Sequence, residues 1–162
     1  MSLELGKQLL EIITEPERVV TGEIPETYLS DTLGRLQGKA AALVFVKNTQ
    51  EVSGVMKLAS ENRIPVTPRG AGTNLVGSTV PLDGGIILDV SKMNRLLEID
   101  EETMTAMVEP GILLQDFQKL VEERGLFYPP DPGEKASSIG GNISTNAGGM
   151  RAVKYGVTRD YV

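Results

Sequence analysis

Apolar positions along this chain fall into short runs whose spacing alternates between helical and extended periods. Leu3, Leu5, Leu9, Ile12 and Ile13 make one stripe, so Ser2 to Thr14 is predicted to be a helix that opens at Ser2 and is broken by Pro16. From Glu15 to Lys39 the composition is mixed (Pro25, Ser30, Asp31, Gly34, Gly38). This reads as a connecting arm with little regular structure, one that positions the domain rather than doing chemistry. Ala41 to Val46 is a buried strand, ended by Lys47-Asn48. Asn48 then caps a helix, with Glu51 three residues on in a box-like start. Val52, Val55, Met56 and Ala59 give that helix one core-facing side, and it ends near Asn62. Ile64 to Thr67 begins the next strand. Strand, helix, strand in this order is a βαβ unit with parallel strands and a right-handed crossover.

Farther along, Gly85 to Val90 is another buried strand, in which Asp89 reads as a local backbone acceptor or strand-end cap. Arg95 to Ile99 and Thr103 to Val108 alternate apolar and polar residues, which predicts two antiparallel strands joined through Asp100-Glu101-Glu102. Contiguous carboxylates at a turn are ordinarily just solvated, and no metal site is assigned. A further helix presents Leu113, Phe117, Leu120 and Val121 on one side and stops at Gly125. The pattern as a whole is α+β: a small parallel βαβ subdomain, then a mostly antiparallel one.

Two stretches escape the periodicity. In the first, Pro68-Arg69-Gly70-Ala71-Gly72-Thr73-Asn74 leads through Leu75 and Val76 to Gly77-Ser78. Glycines this dense permit positive φ and let a ligand lie on the backbone. Successive N–H groups in such a turn converge on an anion, and Arg69 brings a planar fork of donors suited to phosphate. The spacing is not the dinucleotide fingerprint, because Gly77 comes too late and no helix follows. It is not a P-loop either, since Ser78 stands where the lysine belongs. The loop leaves the carboxyl end of a parallel strand, where open α/β sheets put ligands. By itself it is equally consistent with an ordinary glycine-rich surface turn.

The second stretch runs from Tyr128 to Gly156. Tyr128 to Gly133 is proline-rich and extended. Ser137 to Gly149 is glycine, serine and asparagine interleaved with Ile139 and Ile143, which describes either a disordered linker or a backbone wrapped closely around a ligand. From Gly133 to Asp160, Lys135, Arg151, Lys154 and Arg159 outnumber Glu134 and Asp160, a local balance that favours anions.

Composition narrows the chemistry. A chain of 162 residues, 40% hydrophobic, holds one real core or two small subdomains. A net charge of −6 argues against nucleic acid. No run approaches the ~18 apolar residues of a membrane span, and the early Glu4 fits no signal peptide. The absence of cysteine removes disulfides and thiolate chemistry and fits a cytoplasmic location. The absence of histidine removes imidazole bases and ligands. Redox or acid–base power must come from a cofactor or from residues elsewhere.

Taken together, Arg69-Gly-Ala-Gly-Thr-Asn and Gly140-Gly-Asn-Ile-Ser-Thr-Asn-Ala-Gly-Gly, about seventy residues apart, resemble the FAD-binding domain of the vanillyl-alcohol oxidase / p-cresol methylhydroxylase flavoproteins. Within that family the resemblance is to the glycolate oxidase FAD-binding subunit and to D-lactate and D-2-hydroxyglutarate dehydrogenases. It covers residues 40–162, with 1–39 as an N-terminal helix and lead-in arm. It implies that Pro68 to Asn74, Gly77 and Ser78 hold the FAD pyrophosphate. It further implies that Pro130, Ser137, Ser138, Gly140, Gly141, Asn142, Thr145, Asn146, Gly148, Gly149, Tyr155 and Gly156 line the ribityl chain and isoalloxazine, with FAD between the two subdomains. The implied activity is oxidation of a 2-hydroxy acid by hydride transfer to flavin, the electrons passing to a second acceptor, with a homo-oligomer or companion subunits as possible assemblies. A non-catalytic flavin- or nucleotide-binding module and a plain α/β scaffold are the alternatives.

The resemblance also implies that further flavin-contacting strands and a substrate domain with the catalytic and metal-binding residues lie beyond Val162. No residue here is assigned as catalytic. Gly156 to Val162 is expected to open a new strand, and this chain alone is expected to bind FAD weakly, to self-associate through the unfinished sheet edge and not to turn over.

Overall fold

The computed structural model describes residues 2–162, with Ser2 and Leu3 described by their backbone alone. The predicted opening at Ser2 and the Leu3 end of the first stripe therefore lie outside the described side chains. The chain divides into two compact units, one ending at Lys92 and one spanning Met93–Val162.

The first unit contains α1 (Ser2–Ile12), β1 (Val19–Thr21), β2 (Ala42–Phe45), α2 (Thr49–Glu61), β3 (Val66–Arg69) and β4 (Ile86–Asp89). Its sheet has the order β1-β2-β4-β3. β2 and β3 both run parallel to β4, with Ala42 and Val66 each opposite Ile86. The two strands flanking α2 are thus parallel as expected, with β4 inserted between them. A strand covered on both sides reads as an unbroken apolar run, and all four residues of β4 are buried. Asn48 caps α2 through its side chain, accepting from the Glu51 amide at 2.9 Å.

Two expectations for this unit are corrected. The arm is not irregular: a 3₁₀ turn at Pro16–Arg18 leads into β1, which pairs antiparallel with β2, and a second turn forms at Glu26–Tyr28. Three residues are too few to show a period, which is why the pattern missed β1. Met56 does not face the core; it is 45% exposed, whereas Val55 and Ala59 are buried. The buried arc of α2 is centred on Val55 and rotated towards Gly54, where a Cβ would sit 2.7 Å from Ile12 of α1. That rotation leaves Met56 on the solvent edge.

An ion pair ties these elements together. Arg18, buried, donates to Glu51 Oε2 at 2.6 Å and Oε1 at 2.7 Å, and to the Phe45 carbonyl at 2.8 Å. The guanidinium holds the Glu51 carboxyl below the usual glutamate range.

The second unit contains the antiparallel pair β5 (Leu96–Asp100) and β6 (Thr105–Val108), then α3 (Leu114–Glu122), α4 (Ile139–Thr145) and α5 (Ala152–Tyr155). Asp100 organises the acidic turn by accepting the amides of Glu102 and Thr103. Ile112, Leu114, Phe117, Val121 and Ile139 form the core. No helix among the described residues is long and apolar enough to cross a membrane.

Here, too, the structure departs from expectation. Ser137 to Gly149 is not a disordered linker, because its centre is α4. Two internal glycines oppose a helix by about 1 kcal/mol each, but a Cβ at Gly140 would lie 2.7 Å from the Pro110 side chain and 2.8 Å from its carbonyl. Close packing on Pro110 therefore requires glycine there. Gly156 to Val162 is not the opening of a strand either. Thr158–Tyr161 is a 3₁₀ turn, pinned by Thr158 Oγ1 to the Ala147 carbonyl at 2.7 Å and by the Val157 amide to Asp160 at 2.7 Å.

Candidate functional site

In the first unit, β3 ends at Arg69, so its parallel pairing with β4 delivers the glycine-rich loop to the carboxyl end of the sheet. Pro68 lies exposed on the strand, and Gly70 and Ala71 lead into Gly72 at φ +72°. The Arg69 side chain folds back beneath the loop, so that a Cβ at Gly72 would run into its guanidinium. Nη2 donates to the Thr27 carbonyl at 2.9 Å, and the guanidinium carbon sits 4.7 Å from the centre of the Tyr28 ring. Nη1 is buried without a hydrogen-bond partner. A charged donor left in that state is costly, by about 1–3 kcal/mol or more.

Opposite Arg69 in the register is Asp89. Burial pushes its carboxyl above the usual aspartate range, against the pull of the Ser91 contacts and of Arg69. Its Oδ1 accepts the Ser91 amide at 2.8 Å, the strand-end role expected of it.

Beyond Gly72 the loop is organised by two side chains. Thr32 Oγ1 reaches the carbonyls of Gly72 and Asn74 at 3.3 and 3.4 Å. Asn74 Oδ1 accepts the amides of Val76 and Ser78, each at 3.2 Å, and Nδ2 donates to Thr79. The Ser78 amide is therefore engaged within the loop. Gly77, at φ +70°, has Leu36 where its Cβ would be.

The other predicted site residues all fall in the second unit. Pro130 offers its carbonyl to Gln118 at 3.1 Å, and Ser137 donates to the Glu134 carbonyl at 2.7 Å. Ser138 caps α4 at the Gly141 amide, and Asn142 is buried within the helix. Thr145 donates back to the Gly141 carbonyl at 3.0 Å, and Asn146, at φ +48°, ends the helix and accepts the Arg159 amide at 3.1 Å. Gly148 packs on Val157, while Gly149, at φ +132°, lies against the Asp131 carbonyl. The Tyr155 carbonyl receives the Tyr161 hydroxyl at 2.6 Å, and Gly156 lies against the Asp160 carboxylate. Several of these glycines thus have packing reasons of their own.

The basic surplus of this stretch is smaller than its residue count suggested. Asp131, just upstream of the segment counted, is buried and lies 3.1 Å from Lys135 Nζ and 3.7 Å from Arg151 Nη2. Lys135 in particular holds its carboxyl below the usual range. A hollow of about 840 Å³ in the same unit is lined by apolar side chains such as Ile99, Phe117, Leu126 and Ile143. It offers no cluster of charge to a polar ligand.

Sequence reasoning missed Thr27, Tyr28, Thr32 and Leu36, the arm residues that meet the loop. Their only signal was an aromatic residue and a Ser30-Asp31 turn in an otherwise polar stretch.

Comparison with known proteins places these features. The model of a family described as "FAD binding domain" matches residues 40–162. A D-lactate dehydrogenase of Anaerostipes hadrus is 51% identical over 150 residues, covering 91% of this chain and 31% of that protein. Glycolate oxidase subunit GlcD of Bacillus subtilis (strain 168) is 46% identical, over 90% of this chain and 33% of its own length. The chain thus spans about a third of the length of these curated relatives. Among solved structures, an alkyldihydroxyacetonephosphate synthase superposes with a TM-score of 0.84 at 22% identity, covering 96% of this chain and 31% of that one.

Proposed function

Since the chain belongs to the FAD-binding domain family, we propose that it is the FAD-binding part of an oxidoreductase that acts on a 2-hydroxy acid of the glycolate or D-lactate type. The observation that carries the substrate class is the 51% and 46% identity, across nine-tenths of the chain, to a D-lactate dehydrogenase and a glycolate oxidase subunit. The buried, unpartnered Arg69 Nη1 beneath a loop that requires glycine supports an anionic cofactor at the carboxyl end of β3. The residues present fit FAD there.

In this reading Arg69 to Asn74, with Gly77, hold the pyrophosphate through backbone amides, Pro68 leads the strand into the loop, and Ser78 shapes it. Pro130, Ser137, Ser138, Gly140, Gly141, Asn142, Thr145, Asn146, Gly148, Gly149, Tyr155 and Gly156 form the wall that receives the ribityl chain and ring. When bound, FAD supplies a two-electron acceptor for converting the hydroxy acid to its 2-oxo acid. The chain's own residues bind and orient it. With neither histidine nor cysteine available, attachment is noncovalent. Residues 40–162 form the FAD-binding domain and residues 1–39 its lead-in, and no residue here is assigned to take the substrate's hydroxyl proton. A cytoplasmic location accords with the absence of cysteine. Companion subunits accord with the name of the glycolate oxidase relative.

Purified intact protein is expected to absorb near ~450 nm as oxidised flavin. Anaerobic addition of glycolate, D-lactate or D-2-hydroxyglutarate should bleach that band, and a dye acceptor should restore it. A colourless protein refutes the cofactor assignment. Bound flavin that none of these acids reduces refutes the substrate class and favours a non-catalytic module.

A further inference from the structure

The segment that precedes the matched family domain meets the glycine-rich loop at Arg69, Gly72, Asn74 and Gly77. Thr27 receives Arg69 Nη2 at 2.9 Å, and the Tyr28 ring lies under the same guanidinium at 4.7 Å. Thr32 reaches the Gly72 and Asn74 carbonyls, and Leu36 fills the place of a Gly77 side chain. Lys39 donates its amide to the Pro81 carbonyl at 3.1 Å. The segment is shaped for this by Asp31, whose Oδ1 accepts the amides of Arg35 and Leu36 at 2.7 and 2.8 Å. Those amides hold its carboxyl below the usual aspartate range.

The Thr32 contacts have a consequence for the opposite side of the loop. A trans peptide is planar, with its C=O and the following N–H pointing in opposite directions, and the described residues contain no cis bond. With the Gly72 and Asn74 carbonyls turned towards Thr32, the Thr73 and Leu75 amides point away from the Thr32 hydroxyl. One hydroxyl therefore sets the direction of two loop donors. Leu75 belongs to the donor set although its side chain gave no hint of it.

We infer that residues 27–36 are a clasp that positions the amides of the cofactor loop, so that the FAD site extends upstream of the matched domain and Thr32 is a positioning residue for it. This rests on the cradle reading proposed above. The bonds are long and shared, so the effect of each is modest. In the intact protein, Thr32→Val, which keeps the shape and removes the donor, should weaken FAD binding about two- to fivefold, the lower range for a net hydrogen bond. Thr32→Val combined with Leu36→Ala should reach about tenfold, at a cost comparable to one net hydrogen bond plus a lost methyl contact. Thr32→Ser should bind as wild type.

The readouts are FAD titration by flavin fluorescence, the melting temperature of the apoprotein, and amide hydrogen exchange. A positioning role raises exchange at Thr73 and Leu75 and leaves the apoprotein melting temperature unchanged. Gly72→Val serves as the control on the cradle itself. If Gly72→Val abolishes FAD binding while Thr32→Val and the double variant bind as wild type, the clasp is refuted and the cradle stands. If Gly72→Val binds FAD normally, the cradle is refuted first. A fall in apoprotein melting temperature with uniformly raised exchange through the first unit reduces Thr32 to an ordinary structural residue, and also refutes the inference.

Discussion

Replacing Glu51 by Gln removes one charge from a bridge that joins the start of α2 to the arm and to β2. The Arg18 side chain is 6% exposed and the Glu51 side chain 14%, and both carboxylate oxygens accept from the guanidinium. Removing one partner of a buried pair typically costs 3–5 kcal/mol, because the other charge stays buried. Two features reduce that figure here. Gln retains one acceptor oxygen, and Glu15 still accepts from Arg18 Nη2 at 3.2 Å. The expected loss is therefore about 2–3 kcal/mol. At about 2–4 °C per kcal/mol for a chain of this size, that is a drop of roughly 4–12 °C in melting temperature.

Its pH dependence distinguishes the ion pair from lost packing. Arg18 places the folded pKa of Glu51 below its unfolded value. Its stabilisation is therefore full above the ordinary glutamate value of about 4.3 and is lost as pH falls through the folded value. Urea unfolding followed by circular dichroism should show the full gap between wild type and variant at pH 7 and its closure below about pH 4. A gap under about 1 kcal/mol at pH 7, or one undiminished at pH 2, refutes the reasoning, since neither fits a buried pair.

Three other outcomes follow from the same geometry. Gly149→Ala, at φ +132° against the Asp131 carbonyl, should lose at least about 2 kcal/mol of stability in a denaturant titration. Met56→Lys should change stability by no more than about 0.5 kcal/mol, because that side chain stands at the solvent edge of α2. Acid precipitation of the FAD-loaded protein should leave all flavin in the supernatant, since residues 1–162 hold no histidine or cysteine to tether it; colour in the pellet contradicts this.

Elements with long, regular patterns were legible in the sequence: α2 with its Asn48 cap, the apolar run of β4, and the β5–β6 pair. What escaped was structure whose cause lies in tertiary contact. β1 exists because its three residues find β2. α4 contains Gly140 because Pro110 leaves no room for a side chain there. The glycine-rich loop was legible as a place where backbone is close to something, yet its nearest neighbours proved to be Arg69 and the arm. No local property of Thr32 announces that it meets a carbonyl forty residues away. The basic surplus of the second stretch was overestimated for a similar reason, since Asp131 pairs through space with two of its cations and offsets one charge.

The strand order β1-β2-β4-β3 leaves two outer strands, and each is a poor template for further pairing. On one side β1 has only three residues. On the other, β3 carries Pro68 within it and follows Pro65, and a proline has no N–H to offer a new neighbour. A sheet that ends in a stub and a proline strand resists recruiting a second copy edge to edge. Pro68, which leads into the glycine-rich loop, thus also makes this edge of the first unit a poor seed for aggregation.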